Sequence, residues 1–286
     1  MSIPKVIVAG DYMLDVWYRG TIRCQSPENT NIPIVDIVDT IEQDGGAGNV
    51  AANLTGLGVD VVKVHRGIFS RPTKHRLVNI TTGEQLSRWD TNDKCMPLNF
   101  GSIKCNTNVW PHWYADAWDT KKSEEICAIV VSDYNKGTIG DEFIQELQTY
   151  QDKYSIYIDT KRDPIDFGCP VATYFPNSHE YVKYTVSYNC LEKVVVTHGA
   201  LGVTYYNKGK IVCSENAMTK NKVVSVAGAG DTVVAAWVCG KELLKLHDKE
   251  CLRFAMAAAG VVVEEPCTTA VTTKEVNKRL KEFSYE

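Results

Sequence analysis

Lys222 to Trp237 reads KVVSVAGAGDTVVAAW, and the fold of the chain turns on how this stretch is understood. Val223, Val224 and Val226 form a β-branched run of the kind that makes a buried strand. Gly228, Ala229 and Gly230 follow, where the missing glycine β-carbons let the backbone turn sharply and approach a ligand. Asp231 and Thr232 come next, and a helical pattern carries on from there to Leu246. Free N–H groups and the dipole at a helix start make a seat for an anion such as phosphate. A carboxylate at that seat repels an anion, but it has a use if it takes the proton of a hydroxyl that attacks the anion. Alone, the stretch reads first as a glycine-rich turn capped by an aspartate. The chemical reading depends on the rest of the chain.

Upstream, Lys5 to Ala9 is a short apolar strand that ends in Gly10-Asp11, with Asp15 four residues on. Between Gly20 and Ile41 the pattern predicts two short strands around SPENTNIP with no helix between them. Pro27 and Pro33 suit sheet edges, so this segment is expected to form a flap. QDGGAGNVAANLTGLGVDVV then places Gly45, Gly46 and Gly48 before a helix whose apolar face is Val50, Ala51, Leu54 and Leu57. Asn49 lies in its first turn, where its amide either caps the helix or reaches a ligand held against the glycines. A strand over Val59 to Val64 follows, then a hairpin from His75 to Asp90 with Thr82-Gly83 as its turn. Asp93 to Lys122, with Trp110, Trp113 and Trp118, yields no regular element, and its aromatic cluster is read as packing.

From Ile126 onward strand and helix alternate: a strand ending in SDYNKG, a helix from Asp141 to Gln151, and the strand SIYIDTKR. The strand Ala172 to Phe175 runs into PNSHE, and Val194 to Thr197 runs into THGALG and a hairpin to Val212. Two helices, Thr232 to Leu246 and Lys249 to Val263, and a terminal amphipathic segment, Thr273 to Phe283, close the chain. Repeated strand–helix units predict a mostly parallel sheet with helices on both faces. In such a sheet the C-terminal strand ends share one rim, the usual ligand crevice. Gly10-Asp11, Ser132-Asp133, Asp159-Lys161, Asn177-Glu180, Thr197-Gly199 and Gly228-Asp231 all fall there.

Composition narrows the function. The 286 residues carry a net charge of −4, which argues against a nucleic-acid binder with its basic excess. No secretory h-region precedes the first strand, and the longest apolar run, Phe254 to Val263, is too short to span a bilayer. The ten cysteines contain no C-x-x-C pair, and several (Cys127, Cys213, Cys239, Cys251) sit in apolar runs. Reduced, buried thiols in a cytoplasmic protein are therefore expected, and neither the cysteines nor the histidines show metal-cluster spacing.

The combination of AGAGDT with AAAGVVV, PNSHE after a strand, THGALG, and GGAGNVAANLTGLG near the front resembles the ribokinase-like (PfkB) carbohydrate kinases. GDYMLD, SPENTNIPIV, TKHRLVNITTGEQLSRWD and SDYNKG are most similar to the heptose-7-phosphate kinase branch. The similarity covers most of the chain apart from residues 93–125. It implies one ribokinase-like α/β domain over residues 1–286, with residues 20–41 and 74–90 contributing to a small β lid. It also implies transfer of the γ-phosphoryl of ATP to a sugar hydroxyl, with D-glycero-β-D-manno-heptose 7-phosphate at its anomeric position as the expected acceptor. Another small sugar or a nucleoside is the alternative acceptor, and a degenerate kinase that only binds is the alternative from another class.

By the same resemblance Asp231 is the base, and the N–H groups of Ala229, Gly230 and Asp231, after Gly228, form the anion hole. Asn177 and Glu180 hold Mg²⁺ through its waters, and Thr197, Gly199, Gly202 and Asn177 line the ATP phosphates. Asp11, Asp15, Gly45, Gly46 and Asn49 bind sugar hydroxyls, and Lys136 and Lys161 are candidates for a phosphate already on the sugar. The chain also departs from the family pattern. Ser225 and Ala227 replace the Asp and Thr associated with a monovalent cation, which puts potassium activation in doubt. Met256 stands where an Asn is common near the adenine, and the segment between Val64 and Thr73 lacks roughly a helix and a strand. A kinase domain without a fused adenylyltransferase unit is expected. A homodimer paired through the exposed lid edges is expected as well.

Overall fold

A computed structural model describes residues 3–65, 71–98 and 126–284. The tryptophan-rich tract and part of the shortened Val64–Thr73 connection lie outside the described residues. Eight strands form the main sheet: β1 (Lys5–Gly10), β4 (Asp60–Val64), β7 (Ile126–Asp133), β8 (Ser155–Thr160), β9 (Thr173–Tyr174), β10 (Lys193–Thr197), β11 (Val203–Asn207) and β12 (Lys210–Glu215). Their spatial order is β12-β11-β10-β9-β8-β7-β1-β4. All neighbours from β4 to β10 run parallel, and only the β10–β11–β12 edge is antiparallel. A parallel core puts every strand's C-terminal end on one rim, and β1, β7, β8 and β10 deliver Asp11, Asp133, Asp159 and Thr197 there.

Both faces of the sheet are covered. Val6 and Val8 of β1, with Ala128 and Val130 of β7, pack beneath α1 (Ala47–Gly56), α5 (Ala229–Glu242) and α6 (Asp248–Val262). Alternate residues Ile7, Ala9, Ile129 and Val131 point to the other face, where Phe143, Ile144 and Leu147 of α2 (Asp141–Gln148) meet them. This period-two split is what a strand buried on both sides requires. Helices α3 (Ser178–Lys183) and α4 (Thr185–Asn189) follow β9, and α7 (Thr273–Glu282) packs on α6. The face of α1 predicted from the sequence, Val50, Ala51, Leu54 and Leu57, is fully buried against α5. Cys169, Cys239, Cys251 and Cys267 are buried, and no disulfide joins the described cysteines.

A second, four-stranded sheet of order β3-β2-β5-β6 stands over the rim, with β2 spanning Tyr12–Gln25, β3 Pro33–Gly46, β5 Thr73–Asn79 and β6 Gln85–Thr91. Its first two strands are not short: each has 14 residues, and their antiparallel ladder runs down to Tyr12 and Gly46 at the root. Side-chain alternation marks only the outer part, whereas backbone pairing continues wherever two strands stay adjacent.

The expected strand over Val223 to Val226 does not form. Residues 222–226 adopt no regular secondary structure and lie outside both sheets, and Val226 is 74% exposed. Val224 and Ser225 donate their N–H groups to Val263 O at the end of α6 instead of to a neighbouring strand. A β-branched run satisfied by a helix terminus looks the same in sequence as one satisfied by a ladder.

Candidate active site

Two other elements converge on Asp231. The residue lies in the first turn of α5 and is 4% exposed. Gly228 caps that helix in the left-handed region (φ 80°), and a β-carbon there would lie 2.6 Å from Asn49 Nδ2 and 2.8 Å from Thr268 Cγ2. Glycine is therefore required at this point. Asn49 of α1 donates from Nδ2 to Asp231 Oδ2 at 2.9 Å, and the Tyr134 hydroxyl, from the loop after β7, donates to Oδ1 at 2.8 Å. Burial pushes the Asp231 carboxyl up to about 6, against the lowering effect of the Asn49 and Tyr134 hydrogen bonds and of Lys161.

The helix start beside it is open. Gly230 is exposed, and a β-carbon on it would meet nothing within 4 Å. Among the described residues no acceptor takes the Gly230 or Asp231 N–H, but the Ala229 N–H turns back onto Val226 O at 3.3 Å. Of the three amides expected to form an anion cradle, that of Ala229 closes the turn, and those of Gly230 and Asp231 stay free among the described residues. The dipole of the fourteen-residue α5 points at the same opening.

The predicted sugar-side residues divide into two groups. Asp15 (5% exposed) forms an ion pair with Arg76 of β5 and faces Gly45, where a β-carbon would lie 2.5 Å from Asp15 Oδ2. Gly46 ends β3 and Asn49 lies in the first turn of α1, and both are buried. Asp11 is different: it is 0% exposed, and it accepts the N–H groups of Tyr134 (2.8 Å), Lys136 (3.0 Å) and Thr138 (3.2 Å). Its carboxylate shapes the 134–138 loop through these three bonds.

The lysines also separate. Lys136 is ion-paired with Asp93, whereas Lys161 lies 3.1 Å from Asp159 and 2.9 Å from Glu180. Burial would lower the Lys161 pKa, but the two carboxylates more than offset that and raise it. Asn177 and Glu180 face each other in a capping box at the start of α3, each side chain accepting the other's backbone N–H at 2.9 Å. No cluster of three or more His, Cys, Asp or Glu arranged for a metal occurs among the described residues. Asn177 and Glu180 offer side-chain oxygens, the ligand type that a hard cation such as Mg²⁺ takes.

Thr197 sits at the end of β10 and bridges in parallel to Asn177, and Gly199 opens the following turn into solvent. Gly202 does not line that opening. A β-carbon on it would come within 2.1 Å of Glu215 O, so its smallness serves contact with β12.

Tyr134 and Lys74 carry no sequence-based assignment, yet both stand at the centre. The Lys74 ammonium, from lid strand β5, lies 4.6 Å from the Tyr134 ring centroid, and that of Lys161 lies 5.2 Å from it. Burial lowers the Lys74 pKa, partly countered by Asp15 and Asp231. The SDYNKG string held the signal for Tyr134; Lys74 arrives only through the pairing of β5 with β2. A cavity of about 520 Å³ lies between Trp17, Arg76 and Asn79 of the lid and Ser225, Val226 and Ala227 before the glycine turn.

A parallel sheet with a β lid over its C-terminal rim and an aspartate at a glycine-capped helix start defines the ribokinase-like class of α/β proteins. The chain resembles the structure of Escherichia coli phosphofructokinase-2 in complex with substrates and products (TM-score 0.70, 16% identity, 99% of this chain and 100% of that one). Arabidopsis thaliana ribokinase complexed with ribose and ATP is similar at TM-score 0.67 and 18% identity, over 98% of this chain and 99% of that one. Residues 175–275 match the model of the pfkB family carbohydrate kinases. Among curated proteins, the bifunctional protein HldE of Methylobacillus flagellatus is 26% identical over 96% of this chain and 63% of its own length. That of Blochmanniella floridana is 27% identical over 98% of this chain and 64% of its own. The chain thus spans less than two thirds of these relatives. No described helix is long and apolar enough to cross a membrane.

Proposed function

We propose that the protein transfers the γ-phosphoryl group of ATP to a hydroxyl of a sugar, with heptose 7-phosphate, taken at its anomeric hydroxyl, as the acceptor. The observation that carries the reading is the buried Asp231 carboxylate beside the free N–H groups of Gly230 and Asp231. With its pKa raised to about 6, the group is ionised near neutral pH yet basic enough to accept a proton. The acceptor hydroxyl gives its proton to Asp231 as its oxygen forms a bond to the γ-phosphorus, and ADP leaves with the bridging electrons. The two amides and the α5 dipole stabilise the charge on the moving phosphoryl group, the dominant contribution in this chemistry. Asp15, Gly45, Gly46 and Asn49 orient the sugar, while Thr197 and Gly199 border the triphosphate. When bound, Mg²⁺ supplies charge neutralisation to the ATP phosphates, and Asn177 and Glu180 would hold it through water.

The choice of a phosphorylated acceptor rests on two supports. GDYMLD, SPENTNIPIV and SDYNKG build the lid and the floor beneath it, and the Lys74 and Lys161 ammoniums flank Tyr134 at the base, where an anionic acceptor gains most. ATP turnover by the purified chain against neutral sugars, nucleosides and sugar phosphates tests the reading. Stimulation by heptose 7-phosphate above the others is the expected result. Stimulation by a nucleoside alone would replace the acceptor, and no stimulation by any of them would leave a binding protein.

The lid also supports a homodimer. Its outer strands β3 and β6 present long, largely exposed edges whose backbone groups a second lid can pair. Sedimentation at micromolar concentration should give the mass of a dimer, and a monomer would reject it.

A further inference from the structure

The Asp231 carboxylate is held from both sides by groups from two other elements. Asn49 reaches Oδ2 from α1 and Tyr134 reaches Oδ1 from the loop after β7. Tyr134 is itself fixed at its root, because its backbone N–H and those of Lys136 and Thr138 are all taken by Asp11. The half-buried, uncharged phenol remains a donor: desolvation and then the charge of Asp231 raise its pKa well above the ordinary value.

Two donors on the two oxygens of one carboxylate fix the rotation of its plane. One lone pair on each oxygen is spent, and the remaining pair is held in a set direction toward the space under the lid. Charge-assisted hydrogen bonds of this kind also favour the ionised form.

We propose that Tyr134 is a positioning residue for the Asp231 base, fixing the plane of its carboxylate and keeping it ionised for proton transfer. This rests on the kinase reading above. The charged groups around the pair come from every neighbouring element: Asp159 and Lys161 from the end of β8, Lys74 and Arg76 from β5, and Asp15 from β2. Asp159 opposes ionisation of Asp231 and Lys161 favours it, so the Tyr134 bond acts within a partly balanced field. Lys74, carried by the lid and stacked on the Tyr134 ring, ties the lid's position to the same phenol.

The test is Tyr134→Phe in the full chain, which keeps the ring and removes only the hydroxyl. Carboxyl-carbon NMR, with the Asp231 signal assigned by its loss in Asp231→Asn, follows the titration directly and needs no turnover. The midpoint should move up by about one pH unit, the equivalent of roughly tenfold in the ionisation equilibrium. An unmoved midpoint overturns the proposal. In the kinetic arm the acidic limb of the kcat profile should move up in the same sense, with kcat near neutral pH down about tenfold, KM for ATP nearly unchanged and the melting temperature retained. An active variant with its acidic limb unmoved overturns the proposal while leaving the kinase reading in place. A wild-type chain that shows the NMR shift but no sugar-dependent turnover removes the kinase reading and keeps the Tyr134–Asp231 coupling.

Discussion

Asn49 Nδ2 lies 2.9 Å from Asp231 Oδ2, joining residues 182 positions apart in the chain. Each belongs to a glycine-rich turn that starts a helix, and the two helices, α1 and α5, pack side by side on the same sheet face. Asn53, one turn along α1, fixes the first amide by donating to Asn49 Oδ1 at 2.9 Å and accepts the Val271 N–H at 3.0 Å. Helix packing thus sets the geometry of the carboxylate, and substitutions at this junction report on chemistry and stability separately.

Asp231→Asn should lower turnover by ~10²–10⁴, the usual worth of a positioned base, and leave ATP binding in place. It should also stabilise the fold near neutral pH. The folded state holds the Asp231 proton up to about 6, against 3.8 for the ordinary group. Stability from this group is therefore complete below 3.8 and is lost as pH rises to about 6. Removing the charge should restore up to roughly 3 kcal/mol above that window and nothing below it. Melting curves of both proteins across this range check the sign, and an equal difference at all pH values would contradict it.

Gly230→Ala and Gly228→Ala should behave oppositely. The added methyl at Gly230 points into open space on a helix, where alanine gains about 0.5–1 kcal/mol, so the fold should be unharmed. That open space is where the phosphoryl group is proposed to sit, so turnover should fall without a drop in melting temperature. At Gly228 a side chain collides with Asn49 and Thr268 in a left-handed backbone, and both stability and activity should fall. Full activity in Gly230→Ala would move the anion seat elsewhere.

Lys161→Met should leave Asp159 buried without its ammonium partner. Breaking a buried pair costs about 3 kcal/mol or more, because the remaining charge stays desolvated. Glu180 loses its partner in the same variant. Chemical denaturation should register the loss, and Lys161→Met combined with Asp159→Asn should recover much of it. An unchanged unfolding midpoint in the single variant would show that the pair carries no net stability.

Glu264 forms a latch behind the glycine turn. It receives the N–H groups of Lys220 (2.7 Å) and Asn221 (3.0 Å) and both ends of the Arg279 guanidinium at 2.9 Å. Burial alone would raise its pKa, but these donors take it down to about 2 from the ordinary 4.5. Its contribution is therefore present above 4.5 and lost as pH falls toward about 2. Glu264→Gln should lower the melting temperature at neutral pH and flatten its fall over that acid range. A variant with the wild-type acid profile would exclude the latch.

Much of the fold was legible because parallel strands buried on both faces are written as apolar runs ending in polar clusters. β1, β7, β8 and β10, and the buried face of α1, follow that rule. The strand expected over Val223–Val226 fails because pairing partners are not encoded locally; Val263 O at a helix end took the N–H groups that a ladder would have used. Asp11 and Gly202 were placed on the rim by sequence position, but a side chain's direction depends on what packs over it. The 134–138 loop covers the first, and Glu215 of β12 covers the second. Tyr134 stood inside a recognised motif and still gave no hint of its partner, since its contact with Asp231 spans 97 residues.

The sequence by itself determined the local patterns that the proposed chemistry uses: a carboxylate after two glycines, an Asn-x-x-Glu pair, and an asparagine behind a second glycine turn. These are local patterns, and local backbone preference is enough to write them. Only the tertiary structure decided which groups meet. Burial raised the Asp231 pKa, Tyr134 and Asn49 closed on its two oxygens, and a lid strand brought Lys74 over the phenol. Each of these depends on desolvation and on contacts between distant segments, and those exist only once the sheet, its helices and the lid have packed.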